Sequence, residues 1–229
     1  MNRTVRELTA PEQVRAVLVS APVPTVPPVD SPIGIDWLRA HVPRFCDGPA
    51  HQRLRALVVA ELGQLAPDEL RRRARTATGP LPHVRVLLEV LGLSDVSVET
   101  VALVAAHYQP YEPDNPAADV AVADLVAACG GVTDERTAAR ICLLVQACAA
   151  TAALVTNAEQ TDSDGTADEI LQRTMDENPP LRSTRRVVDG AVIELDMRHP
   201  GLGFGAGPHA CPGRAHALAL AAGIIEGTA

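Results

Sequence analysis

Near the C-terminus, Phe204-Gly205-Ala206-Gly207-Pro208-His209-Ala210-Cys211-Pro212-Gly213 sets a single cysteine on a loop shaped by glycine and proline, directly ahead of an alanine-rich helical segment. Glycines at 205, 207 and 213 let backbone approach a flat ligand with no Cβ in the way. Pro212 suits the first helical position, where its missing N–H costs nothing, and the pattern predicts a helix over 212–226. Cys211 then faces the free N–H groups at the start of that helix. Those donors and the positive end of the helix dipole favour thiolate over thiol, and thiolate is the form that binds iron.

What packs around this loop has to be mostly helical. Of the 229 residues 47% are hydrophobic but only 2% aromatic, so the core is built from Ala, Val and Leu, which suits closely packed helices. A chain of this length buries one sizeable core, and a single domain over 1–229 is expected. All twenty basic residues are arginine, which excludes a pyridoxal phosphate Schiff base and a P-loop, both of which need a lysine amine. The net charge of -8 argues against nucleic acid as a partner. Five cysteines without a Cys-x-x-Cys pair indicate neither a disulfide framework nor structural zinc, and a cytoplasmic setting is expected. The charged N-terminus lacks the apolar core of a signal peptide. Residues 141–158 are uncharged and long enough to span a membrane, but Gln146, Asn157 and the threonines favour a buried helix, and no membrane partner is expected.

A short helix and the Pro-rich segment 22–32 form an N-terminal section ahead of a body from 33 to 229. Asp47-Gly48-Pro49 starts a helix to about Leu65, with Asp47 as its cap. Helical periodicity follows over 67–77, 81–92, 97–108, 117–129 and 134–158. Arg186–Val188 and Ala191–Leu195 flank Asp189-Gly190 and predict one hairpin. His51 and Arg55, four apart on one helix face, can both reach an anion.

The pattern Phe-x-x-Gly-x-x-x-Cys-x-Gly, carried by Phe204, Gly207, Cys211 and Gly213, resembles the ligand loop of the cytochrome P-450 family. The resemblance implies a mainly α, truncated cytochrome P-450-like helical fold with little β structure, in a chain little more than half the family's usual length. It also implies haem b held through the Cys211 thiolate. The segment Arg44-Phe45-Cys46-Asp47-Gly48-Pro49-Ala50-His51-Gln52-Arg53-Leu54-Arg55 is similar to the family segment in which His51 and Arg55 would bind haem propionates. His209 matches a further propionate position, and Arg186, with Arg185 as its rival, resembles the arginine that closes the ring of donors. Ala147-Cys148-Ala149-Ala150-Thr151-Ala152 is similar to the distal-helix motif, with Thr151 on the catalytic threonine, Cys148 in place of the glycine and Ala150 in place of the acid. Asp168-Glu169-Ile170-Leu171-Gln172-Arg173 resembles the Glu-x-x-Arg helix, but Gln172 stands where the arginine belongs.

The function implied is a haem-thiolate oxidoreductase, a monooxygenase or peroxygenase acting on a small apolar molecule in secondary metabolism. Electrons would come from a ferredoxin-type donor or from peroxide. A homodimer covering the abbreviated pocket is a further expectation. The missing distal acid leaves room for haem chemistry without dioxygen: isomerisation, dehydration, cyclisation or heteroatom bond formation. A non-catalytic helper of a partner enzyme is the third reading, and the intact Cys211 loop weighs against it. No dinucleotide fingerprint is present, because Gly203-Phe204-Gly205-Ala206-Gly207 follows no clear strand of a βαβ unit.

Overall fold

The computed structural model describes residues 6–27, 33–112, 115–161 and 164–228, so part of the Pro-rich connector lies outside the described residues. Strand β1 (Arg6–Leu8) and helix α1 (Pro11–Ser20) precede a helical series: α2 (Ile35–Ala40), α3 (Gly48–Leu62), α4 (Pro67–Ala74), α5 (Pro82–Val90) and α6 (Val98–Ala106). There follow α7 (Pro116–Ala128), α8 (Glu135–Glu159), α9 (Ala167–Glu177), strands β2 (Ser183–Val188) and β3 (Ala191–Asp196), and α10 (Arg214–Thr228). The predicted helices all form, most with ends shifted by one to three residues. The mainly α expectation holds.

The apolar run that looked long enough for a membrane becomes α8. Asp134 caps it by accepting from the Thr137 N–H at 2.8 Å, and more than half of its apolar window is buried within the protein. Helices α3, α5, α6, α9 and α10 all pack against it. The main core joins α2–α8 and the inner face of α10 through Leu, Val and Ala, with Trp37, Phe45 and Tyr108 as its buried aromatics. A second cluster lies where α8, α9 and α10 meet. Between α4 and α10 the backbones nearly touch: a Cβ on Gly223 would stand 2.2 Å from the Arg71 carbonyl oxygen, and one on Gly227 2.1 Å from that of Arg75. Only glycine permits this approach, and it fixes the axis of the last helix.

The hairpin forms as its turn residues require. Asp189 (φ 51°) and Gly190 (φ 74°) are both left-handed, the two-residue geometry that matches strand twist. The sheet has the order β1-β3-β2, with β1 parallel to β3, and α1 packs Val14 and Leu18 over Ile193 and Leu195.

Two local expectations are corrected, and a third helix end is clarified. The last helix begins at Arg214 rather than Pro212: Cys211 N–H donates back to the Phe204 carbonyl at 2.8 Å, so Pro212 and Gly213 form a turn, and the Gly213 carbonyl accepts the first helical bond from Ala217. Asp47 precedes α3, but its side chain makes no cap bond. Glu169 closes a capping box with Thr166 at the start of α9, while Asp168 pairs with Arg71 at 2.9 Å. The acid of this helix therefore serves its own N-terminus and α4.

Candidate functional site

The cysteine loop is held at three points. Gly205 N–H donates to the Leu202 carbonyl at 2.7 Å, Ala210 N–H to that of Gly207 at 3.1 Å, and Cys211 N–H to that of Phe204 at 2.8 Å. The Phe204 ring packs into the α8–α9–α10 cluster, with the Arg214 guanidinium 5.4 Å from its centroid. Gly207 has φ +69°, and a Cβ there would lie 2.7 Å from Val19 Cα, so this glycine lets the loop sit on α1. A Cβ on Gly213 would only touch Leu62 at 3.7 Å. The glycines thus hold the loop against the protein; clearance for a flat ligand is not what positions 207 and 213 show.

Beneath the loop, α3 and β2 deliver the other predicted residues. His51, 4% exposed, stacks on His209 with ring centroids 3.9 Å apart and planes tilted by 41°. His209 Nε2 is 2.7 Å from Asp47 Oδ1, and Asp47 Oδ2 accepts from the Val23 N–H at 2.8 Å. The carboxylate expected to cap α3 is drawn away to a residue far along the chain. Arg55 lines an open cleft of about 370 Å³ with His51, Gln52, Ala56, Val59 and Pro208.

Strand geometry separates Arg185 from Arg186, since neighbours on a strand face opposite sides. Arg186 is 4% exposed, and Arg185 extends over the Tyr111 ring, 4.3 Å from its centroid. The Arg186 Nε–H is buried without an acceptor, and its Nη1 donates only to the neighbouring Arg185 carbonyl at 2.8 Å.

The electrostatics follow from this crowding. Burial holds both His51 and His209 below the ordinary histidine range; nearby positive charge adds to this, whereas Asp47 opposes it. Burial lowers even the Arg186 pKa, with Asp47 opposing and Arg44 reinforcing. Cys211 is solvent-exposed as a residue, yet protein packed around the sulfur raises its pKa; the Gly213 N–H and the Arg55 charge act the other way. The thiolate preference expected from the helix start is therefore present but outweighed in the free protein.

Thr151 is placed differently. It is buried in α8 at 2% exposure and does not border the cleft. One turn earlier, the buried His83 of α5 lies with Nε2 2.9 Å from the Cys148 carbonyl, so this ring nitrogen carries the proton and burial keeps the imidazole neutral. Among the described residues no group of three or more His, Cys, Asp or Glu is placed to hold a metal ion.

A haem carries two carboxylates that need cationic donors and an iron that a cysteine thiolate could hold. The residues fit it: a buried guanidinium keeps an unpaired Nε–H, two histidines and Arg55 stand near it, and Cys211 is accessible on the adjoining loop. Two contributors escaped sequence reasoning. Asp47 was legible only as a cap, although it lies inside the segment carrying His51 and Arg55. His83 carried no signal.

No protein-family model and no curated protein matches the chain. Solved structures do match. P450BioI, in complex with hexadec-9Z-enoic acid ligated acyl carrier protein, aligns with a TM-score of 0.71 at 17% identity over 96% of this chain and 83% of that one. A thermophilic cytochrome P450 from Sulfolobus tokodaii gives 0.64 at 14% identity over 99% and 87%. A mutant of P450 EryK in complex with erythromycin B gives 0.64 at 16% over 96% and 81%. They lend no support to the expected homodimer. With its helices packed around α8, its small sheet, and its cysteine loop running into the last helix, this chain has the cytochrome P450 fold.

Proposed function

We propose that the protein is a haem-thiolate oxidoreductase in which Cys211 ligates iron and His51, Arg55, His209 and Arg186 receive the haem carboxylates. The observation that carries this reading is the buried Arg186 guanidinium with an unpaired Nε–H, next to two stacked histidines and below an accessible cysteine. A buried guanidinium with a donor left unfilled is costly, and a bound carboxylate would fill it. When bound, haem b supplies redox chemistry at iron, including oxygen insertion into apolar molecules.

The chain's own residues do the rest. Gly213 N–H and the Arg55 charge stabilise the Cys211 thiolate against burial. Asp47 accepts from His209 Nε2–H, which fixes the tautomer; Nδ1 would donate to a haem carboxylate with the ring protonated, a state that the two carboxylates together would favour. Phe204 and Gly207 anchor the loop to the α8–α10 cluster and to α1, so the sulfur is carried on rigid elements. Thr151 would hold a proton at Oγ1 on the distal helix. A small apolar molecule is the proposed substrate, with a ferredoxin-type donor or peroxide as co-reactant and secondary metabolism in the cytoplasm as the setting. The acyl carrier protein bound to one structural neighbour extends the candidates to carrier-tethered acyl chains.

A second reading, haem chemistry without dioxygen, is favoured by Ala150 in place of an acid and by the burial of Thr151 away from the cleft. Titration of the purified protein with haem tests the common premise: one-to-one uptake is expected, and a protein that stays colourless at excess haem overturns it in favour of a non-catalytic helper. Product formation requiring peroxide, or reductant with oxygen, then selects the first reading over the second.

A further inference from the structure

His216 is the third residue of α10, five positions beyond Cys211 and outside every motif match. Its Nε2 stands 3.0 Å from the Leu62 carbonyl oxygen and 2.9 Å from that of Leu65. Both are acceptors, so this nitrogen carries the proton and donates to the two together. The Nδ1 is buried without a partner, which leaves the bond to the two carbonyls as the ring's whole polar engagement. Leu62 ends α3, where the last carbonyls have no N–H four residues on to accept, and Leu65 lies in the turn that leads to α4. Among the described residues no other hydrogen bond joins α3 to α10.

The two ends of this tie carry different parts of the site. Helix α3 bears His51 and Arg55, and α10 follows directly on the Cys211 loop. The C-terminal half of α10 is fixed on α4 through Gly223, Gly227 and Glu226. Its first turn is where the chain leaves the cysteine loop: there the Gly213 carbonyl accepts from Ala217 N–H at 2.9 Å, next to His216, while the Gly213 N–H acts on the sulfur. A displaced first turn therefore moves the donor that favours the thiolate. We infer that His216 is a positioning residue: by clamping the first turn of α10 to the end of α3, it holds the Cys211 sulfur in a fixed place relative to His51 and Arg55. The inference rests on the haem reading and adds to it a residue that touches no ligand. A packing role would need only the volume of the ring, which a leucine supplies; the clamp needs the N–H.

His216→Leu keeps the bulk and removes the donor, His216→Gln keeps a donor near the place of Nε2, and Glu226→Gln, which loosens the far end of the same helix, is the control. Backbone amide exchange at Cys211 and Ala217 is followed in the free proteins. In the haem-loaded, reduced proteins under carbon monoxide, the ratio of thiolate-ligated to displaced haem is read from the absorption band. In His216→Leu both amides exchange roughly tenfold faster, the opening expected when about one hydrogen bond is lost, and the thiolate ratio falls by a similar factor. His216→Gln restores both readings, and Glu226→Gln lowers the melting midpoint while moving neither. His216→Met carries the expectations of the Leu variant should that variant not fold. The inference is overturned by an unchanged thiolate ratio in His216→Leu, by an equal fall in Glu226→Gln, or by a His216→Gln protein that behaves like His216→Leu. A wild-type protein that takes up no haem overturns the haem reading instead; amide exchange then decides the clamp, which stands if His216→Leu opens the loop and His216→Gln does not, and falls otherwise.

Discussion

At the contact of α4 with α10, Arg71 and Arg75 both donate to Glu226, from their Nε atoms at 2.9 and 3.0 Å, and Arg71 also reaches Asp168; at Arg186 the Nε–H is buried with no acceptor, while Asp47, whose charge acts on it, gives its oxygens to His209 and the Val23 N–H. The first region uses arginine as a strut. Its charges are partly solvated and individually modest in effect, but they tie three helices together over a glycine-mediated backbone contact that sets the axis of α10. The second buries a guanidinium with one donor unfilled. A strut whose charges are paired stands against a site where a buried donor is left over, and that contrast supports the proposed ligand site from geometry as well as from motifs.

The strongest way to break this contrast is at the strut. Gly223→Val drives a side chain into the Arg71 carbonyl, where backbone cannot yield, and is expected to cost about 3 kcal/mol of stability in chemical denaturation; a loss under about 1 kcal/mol would show that α4 and α10 are not in this contact. Gly207→Ala combines a left-handed backbone with a clash against Val19 and should cost about 1–3 kcal/mol while weakening haem retention; unchanged haem loss would mean that the seat of the loop on α1 does not position Cys211. Glu226→Gln should cost about 1 kcal/mol, less at high salt, by leaving Arg71 and Arg75 with a neutral acceptor. Arg186→Met should do the reverse in the free protein and raise its melting midpoint, since burial of the guanidinium with an unfilled Nε–H outweighs the opposing Asp47 charge.

The smallest effect is a pH dependence. His51, His83 and His209 all titrate below the ordinary value of 6.5 in the folded protein. The unfolded chain therefore binds protons first on acidification, so stability is complete above about pH 6.5 and falls as pH drops through the histidine range. The melting midpoint of the free protein should decline from about pH 7 to 5, and less so in His83→Gln. A midpoint that rises over that interval would show these rings to be protonated in the fold.

How much of this was legible in the sequence depended on how local the cause was. Helix α8 was predicted within one residue at each end, since Asp134 and the apolar run define it, and the hairpin followed from Asp189-Gly190. Helix α2 was missed because six residues hold their shape through distant partners: the Ile35 N–H donates to Asp119 at 2.8 Å, and Arg39 donates to the carbonyls of 107–109. Strand β1 exists only by pairing with β3. At the site, resemblance to the cytochrome P-450 motifs pointed to His51, Arg55, Arg186, His209 and Cys211, and spacing alone offered only the pairing of His51 with Arg55 on one helix face. The roles of Asp47 and His83 were hidden because they depend on what faces each across the fold: His209 and the Val23 N–H for Asp47, the Cys148 carbonyl for His83.

The central claim concerns one sulfur, and the carbon monoxide difference spectrum of the reduced, haem-loaded protein addresses it most directly. The wild type is expected to show the band of thiolate-ligated haem and Cys211→Ala to lose it while still taking up porphyrin through its arginines and histidines. A Cys211→Ala protein with the same band as wild type would contradict the account, because some other side chain would then hold the iron.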